Sequence, residues 1–241
     1  MKSFFSTLVT DPASRGAESV AGDHANVSPG SPAILQTRLR RARLGLLVGL
    51  VGILMIFVSF SSAYVVRQGL PTLDPRSNTL VRDWFALPLP RLLFLNTLVL
   101  LVSSATMGMA RRQVARQVAL GRTSVSSPHV AVDPGWTASW LLLTVVLGLS
   151  FLAGQATVWR ELAASGVYIS TNPSSSFFYL LSATHGVHLL GGVFALLAAC
   201  ASWFLRRPIE TRLVVLDVTG WYWHFMALLW VYILCLLEFA P

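Results

Sequence analysis

The sequence predicts an all-α, polytopic membrane protein built as a bundle of five transmembrane helices. Hydrophobic residues make up 54% of the chain and charged residues only 12%, which is more apolar surface than one soluble core of this length can bury. A helix needs roughly 20 mostly apolar residues to cross the hydrocarbon of a bilayer. Five segments meet that length, and their formal charges lie only at the segment ends: about 44–66, 91–111, 137–160, 174–205 and 218–239.

The chain divides into a short N-terminal tail and a membrane domain. Residues 1–43 are predicted to form a cytoplasmic basic tail, disordered or peripheral, because they lack the continuous apolar core of a signal peptide and contain several Gly, Pro and Ser residues. Residues 44–241 form the membrane domain. Basic residues at the end of the tail either bind anionic lipid or simply enforce orientation: Arg38, Arg40, Arg41 and Arg43.

The distribution of Lys and Arg predicts the orientation of the bundle. Most basic residues lie in the tail, after the second segment and after the fourth, which are all on one side of the membrane. By the positive-inside rule the N-terminus is cytoplasmic, and with five spans the C-terminus is outside. The net charge of +8 does not indicate a nucleic-acid partner, because the basic residues cluster beside apolar segments and are not interleaved with stacking aromatics.

The polar residues inside the predicted helices are the candidate functional residues. His185 and His188 are three positions apart on one helix face, and His224 near the start of the fifth helix is a third imidazole. They could ligate a metal or a haem, or serve as packing and lipid-headgroup contacts. The sequence favours the second interpretation, because His24 and His129 lie outside the segments and no acidic residue lies in mid-membrane.

Other polar and aromatic residues allow similar pairs of interpretations. Asn96 and Gln155 either line a conduction path or form interhelical hydrogen bonds of roughly 1 kcal/mol each. The second interpretation is favoured, because a proton relay would require a series of ionisable groups across the bilayer. Trp223, with Trp221 and Tyr222, fits an interfacial aromatic belt. Two arginines after the fourth helix hold anionic headgroups or only determine topology: Arg206 and Arg207.

Taken in order, the motifs of the five helices resemble the haem-copper oxidase subunit III family, also called cytochrome c oxidase polypeptide III. The resemblance runs from about residue 44 to 239. It rests on the following residues: Ser62-Ala63-Tyr64, Leu95-Asn96-Thr97, Gln155, Thr184-His185-Gly186-Val187-His188 with Gly191-Gly192, and Trp221-Tyr222-Trp223-His224-Phe225 with Trp230.

The resemblance implies a structural, lipid-binding subunit III of the five-helix bacterial form, multi-pass in the inner membrane. Such a subunit carries no catalytic residue, metal or cofactor of its own. It packs against oxidase subunits I and II, which hold the haem and copper, within an oxidase that reduces oxygen to water with proton pumping. Phospholipid is bound, and a larger respiratory supercomplex is a further candidate partner. The residues expected to bind lipid or pack between helices are His185, His188, His224, Trp223, Trp230, Asn96, Gln155, Tyr64, Arg206 and Arg207.

The chain also departs from the family it resembles. Three acids typical of the family correspond here to Ile53, Val158 and Ala227, so proton-antenna or relay functions attributed to those acids are not expected. Two alternatives remain. Related five-helix proteins accompany quinol oxidases and nitric oxide reductases, and only the partner distinguishes these. An independent small transporter or lipid-handling protein would be expected to show an inverted repeat or a charged midplane site, and the sequence shows neither.

Overall fold

The structure, a computed structural model, describes residues 32–73, 79–81, 84, 90–123, 134–205 and 207–239. It confirms the all-α fold class, and all five helices are long and apolar enough to cross a membrane. The chain is therefore a multi-pass membrane protein. The helices are α1 Pro32–Gly69, α2 Arg91–Thr123, α3 Pro134–Ala164, α4 Pro173–Phe204 and α5 Ile209–Phe239.

Four of these helices extend beyond the predicted segments, because the apolar stretches end near charged or polar residues whereas helical structure continues through them. Arg, Gln, Leu and Ala are all good helix formers, so α2 continues from Arg112 to Thr123. In the same way α1 begins at Pro32, and residues 32–43, predicted as part of the tail, continue the first helix. The rest of the predicted tail, residues 1–31, lies outside the described residues.

The order of helix contacts defines a four-helix ring with one helix outside it. Contacts between α2 and α3, α3 and α4, α4 and α5, and α5 and α2 close the ring, and among the described residues α1 packs only against α4 and α5. The interhelical contacts show that α2 runs antiparallel to both α3 and α5. Because α1 and α2 do not touch, a gap remains between them, and α5 forms its floor.

Short connections fix the ends of the bundle. Asn172 caps α4, its backbone N–H donating to Ser175 Oγ at 3.2 Å, with Pro173 at the first position, an arrangement typical of a helix N-terminus. Gly166, at φ 81°, ends α3 with the left-handed residue that a Schellman motif requires. The loop between α1 and α2 forms a two-residue antiparallel ladder that the sequence did not predict: β1 Thr72–Leu73 and β2 Leu80–Val81.

Candidate functional site

A row of polar contacts joins α2 to α5 through the bundle. The indole N–H of Trp230 donates to Thr97 Oγ1 at 2.9 Å. Two turns away, His224 Nδ1 lies 2.6 Å from Ser104 Oγ. Thr97 and Ser104 are seven positions apart, which is nearly two helical turns and hence the same face of α2. Two of the predicted site residues, Trp230 and His224, therefore serve as contacts between helices.

An ion-pair cluster extends this row at one end of the bundle. Asp217 on α5 accepts from Arg111 Nη2 at 2.6 Å through Oδ1 and from Arg43 Nε at 2.7 Å through Oδ2. One carboxylate thus connects α1, α2 and α5. Asp217 precedes His224 by seven positions, and Arg111 follows Ser104 by seven. The ion pair therefore lies on the same helix faces as the polar contacts of the row. Sequence analysis missed Asp217 because the fifth helix was predicted to start at residue 218, although this spacing was a usable signal.

Trp223 packs inside the bundle, and its ring does not reach the surface. Its side chain is 0% exposed, and its N–H donates to Ser103 Oγ at 3.2 Å. Ser103 Oγ in turn donates to the Thr144 carbonyl at 3.1 Å, so the chain of bonds crosses α5, α2 and α3. Gly148 and Gly192 make room for the ring, since a Cβ at either would lie within 3.1 Å of an indole carbon.

Asn96 and Gln155 both face the interior, but only Asn96 has an identified partner. Asn96 Nδ2 donates to the Phe151 carbonyl at 3.1 Å, and its amide packs where a Cβ on Gly154 would lie. Gln155 is 3% exposed, and neither atom of its amide has a hydrogen-bond partner among the described residues. The interhelical hydrogen bond expected from sequence is thus present for Asn96.

The two histidines of α4 occupy different environments. His185 is fully buried among the rings of Phe57, Phe151 and Trp230, with centroids 6.5, 6.0 and 4.9 Å away. Its two ring nitrogens have no partner among the described residues. His188 is half-buried, and its Nδ1 lies 2.8 Å from the Thr184 carbonyl. A carbonyl only accepts, so His188 carries its proton on Nδ1.

Two further predicted site residues, Tyr64 and Arg207, lie near the ends of the bundle. Tyr64 is buried, and its ring packs edge-on against Trp84 and Phe177 with centroids 5.0 and 5.6 Å away. Arg207 is exposed. Arg206 lies outside the described residues. Tyr64 and Arg207 are separate from the polar interior, so the nine predicted residues that the structure describes do not form one site.

Two further features of the interior bear on its chemistry. Among the described residues, no group of three or more His, Cys, Asp and Glu is arranged to hold a metal ion. The three positions matched to family acids carry apolar residues that face inward: Val158 and Ala227 are buried and Ile53 packs against the core. Apolar packing is therefore what these three side chains contribute.

Replacing Gly148 with alanine is expected to destabilise the bundle by about 1 to 2 kcal/mol, because the new methyl group would overlap the Trp223 ring and overpacking costs of this order are typical. A Cβ at Gly148 would lie 2.7 Å from the indole. The measurement is the free energy of unfolding in mixed detergent micelles. Gly186→Ala is the matched control, since a Cβ there meets nothing within 4 Å; an equal effect of both substitutions would contradict the prediction.

Comparison with known proteins identifies relatives over most of the chain. The family model described as cytochrome c oxidase subunit III matches residues 35–239. A probable cytochrome c oxidase subunit 3 of Mycobacterium tuberculosis is 29% identical over 100 residues, covering 42% of this chain and 49% of the relative. The cytochrome c oxidase subunit 3 of Thermostichus vulcanus is 27% identical over 200 residues, covering 80% of this chain and 85% of the relative. The match thus spans about half the length of the mycobacterial relative.

Proposed function

Because the chain belongs to the cytochrome c oxidase subunit III family, we propose that it is a structural, lipid-contacting subunit of a bacterial respiratory haem-copper oxidase. In this role it stabilises the catalytic subunit I, which holds haem and copper with subunit II, and it lies in the inner membrane with its N-terminus in the cytoplasm. The oxidase passes electrons from cytochrome c to oxygen. The single observation that carries the proposal is the match of five helices, over residues 35–239, to this family.

The geometry of the interior supports a structural role. The imidazole of His224 is bonded to Ser104, that of His188 to its own helix, and that of His185 is enclosed by aromatic rings. These are packing and hydrogen-bonding environments, and they connect all five helices of the bundle. The surface is strongly apolar, and α1 exposes large side chains along most of its length, as suits contact with lipid or with another membrane subunit.

Purification through a tag on this chain, in a mild detergent that preserves lipid, tests the proposal. We expect subunits I and II in the mass spectrum, haem in the visible spectrum and oxygen consumption with reduced cytochrome c. Oxygen consumption with quinol alone would instead identify a quinol oxidase as the partner. Recovery of the chain alone and colourless would contradict the proposal and favour an independent transporter or lipid-handling protein.

Replacing both His185 and His188 with leucine is expected to leave the haem content of the purified complex unchanged. The reason is that His185 contacts aromatic rings and His188 is hydrogen-bonded to a backbone carbonyl. Neither imidazole is therefore expected to ligate a haem. The measurement is the ratio of haem to protein, with the unmodified complex purified in parallel. Loss of haem from a complex that retains its full set of subunits would show that these imidazoles hold a cofactor.

A further inference from the structure

Two buried polar side chains on neighbouring helices carry hydrogen-bonding groups that other protein groups do not satisfy. His185 on α4 is 0% exposed, and Gln155 on α3 is 3% exposed. Both ring nitrogens of His185 and both amide atoms of Gln155 are without a hydrogen-bond partner among the described residues. Buried polar groups in native proteins are nearly always paired, either with protein or with an ordered water. Hydrocarbon around the bundle offers no substitute, so these four atoms require a further hydrogen-bonding group.

Packing between α3 and α4 brings the two side chains to one level of the bundle. The centroid of the Phe151 ring lies 6.0 Å from that of the His185 ring, and the Trp159 indole N–H donates to Ser182 Oγ at 3.1 Å. Higher numbers on α3 thus meet lower numbers on α4, so the two helices run antiparallel. Gln155 is one turn from Phe151 and one turn from Trp159, on the same face of α3. It therefore lies between these two contacts, level with the turn of α4 that carries His185.

The aromatic neighbours of His185 do not supply the group that its nitrogens require. The rings of Phe57 and Phe151 pack edge-on against the imidazole and contain only carbon. Trp230 has a single polar atom, its indole N–H, and this atom already donates to Thr97 Oγ1 at 2.9 Å. The imidazole is thus enclosed by apolar surface on these sides, and the polar group that remains at its level is the amide of Gln155.

The chemistry of the two side chains defines the ligand that would satisfy them. A neutral imidazole has one N–H donor and one acceptor nitrogen, and an amide has an NH₂ group that donates and an oxygen that accepts. A ligand that serves both must therefore donate and accept. It must also be small and uncharged, because aromatic rings enclose the imidazole and an unpaired buried charge is costly. Water meets all of these conditions, and a buried water typically forms about three hydrogen bonds to such groups.

We propose that Gln155 and His185 together bind one ordered water molecule, which bridges α3 and α4 inside the bundle. The water forms hydrogen bonds with a ring nitrogen of His185 and with an amide atom of Gln155. The bridge gives these two side chains a joint role in holding α3 to α4. The site depends on the packing of this chain alone, so it can fail or stand independently of the proposed oxidase partner.

A structure of the protein purified through a tag on this chain, with the subunits that accompany it, tests the site directly. Electron cryomicroscopy in a lipid nanodisc is suitable, at a resolution that shows ordered waters. We expect a separate peak of density at about 2.7 to 3.2 Å from both an imidazole nitrogen of His185 and an amide atom of Gln155. A direct hydrogen bond between the imidazole and the amide, or ordered side chains with no peak between them, would overturn the proposal.

A double-substitution cycle measures whether the two side chains act together. Gln155→Met and His185→Leu are each expected to lower the midpoint of thermal unfolding by about 5 °C, because each removes one partner of the water and leaves the other side chain buried without it. The combined variant is expected to lose less than the sum, since no buried polar group then remains at the site.

His188→Leu replaces His185→Leu in the matched control cycle. It removes the same ring from the same helix, where Nδ1 of His188 lies 2.8 Å from the carbonyl of its own helix, so its effect is expected to add to that of Gln155→Met. Equal coupling in the two cycles, or additivity in both, would overturn the water bridge. A rise in the midpoint for either Gln155→Met or His185→Leu would do the same, because it would mean that the replaced group has no partner at all.

Discussion

Replacing Trp223 with alanine is expected to lower the free energy of unfolding by about 4 kcal/mol, within the usual range for deleting a large aromatic side chain from a core. The indole is completely buried and packs against glycines on α3 and α4. Its loss would leave a cavity between α5 and the glycine positions of α3 and α4. The Ser103 hydroxyl would also lose the N–H that it accepts.

Titration of the purified membrane protein with a denaturing detergent, followed by far-ultraviolet circular dichroism, measures this change. Trp221→Ala is the matched control, since it removes the same side chain two positions away on α5 where the ring is 50% exposed. The control loses a cation–π contact with Arg111 and is expected to cost about 1 kcal/mol or less. Similar losses in both variants would mean that Trp223 does not hold the core as described.

The position of Trp223 shows why the sequence predicted the existence of the helices better than it predicted which side chains face the interior of the bundle. The sequence indicates an aromatic belt at residues 221–223, because the apolar segment begins near them. In the structure α5 begins at Ile209, which places Trp223 about 21 Å along the helix at 1.5 Å per residue. The polar turns before residue 218 continue the helix, and the Trp223 side chain faces the interior of the bundle, where it is completely buried.

Helix existence could be predicted because length and hydropathy are local properties of the chain. The cap at Asn172-Pro173 was equally readable, since capping involves only the residues that adjoin it. The burial of His185 depends instead on the rings of Phe57, Phe151 and Trp230, which belong to three other helices. No spacing within α4 specifies those neighbours, so the sequence favoured packing or lipid-headgroup contacts for the two histidines without identifying their partners.

The seven-residue row between α2 and α5 was the part of the site that sequence could have revealed. Thr97, Ser104 and Arg111 repeat at this interval, and their partners on α5 repeat at six or seven. Such a period keeps contacts on one face of each helix as they pass along each other. Hydropathy ignores it, since hydroxyl groups weigh little in an apolar average. Of the charged pair at its end, Arg111 closed the second predicted segment, whereas Asp217 lay one residue outside the fifth.

Replacing Asp217 with asparagine is expected to destabilise the bundle by about 2 to 3 kcal/mol and to loosen α1 at its N-terminal end. The side chain of Asp217 is 14% exposed, and its partners Arg43 and Arg111 are 54% and 25% exposed. The expected cost lies between that of a surface pair and that of a fully buried one. Without the carboxylate, two guanidinium groups would remain close together with no charge between them.

Glu238→Gln provides the matched control for Asp217→Asn, because it removes the same charge from an exposed position on the same helix. The unfolding measurement on both variants separates a local ion pair from a general effect of net charge. Arg111→Gln, alone and combined with Asp217→Asn, completes a double-mutant cycle whose coupling energy reports the pair directly. Full additivity of the two substitutions would refute the three-helix connection, whereas a favourable coupling above about 1 kcal/mol would establish that Asp217 holds α2 to α5, as the 2.6 Å contact with Arg111 indicates.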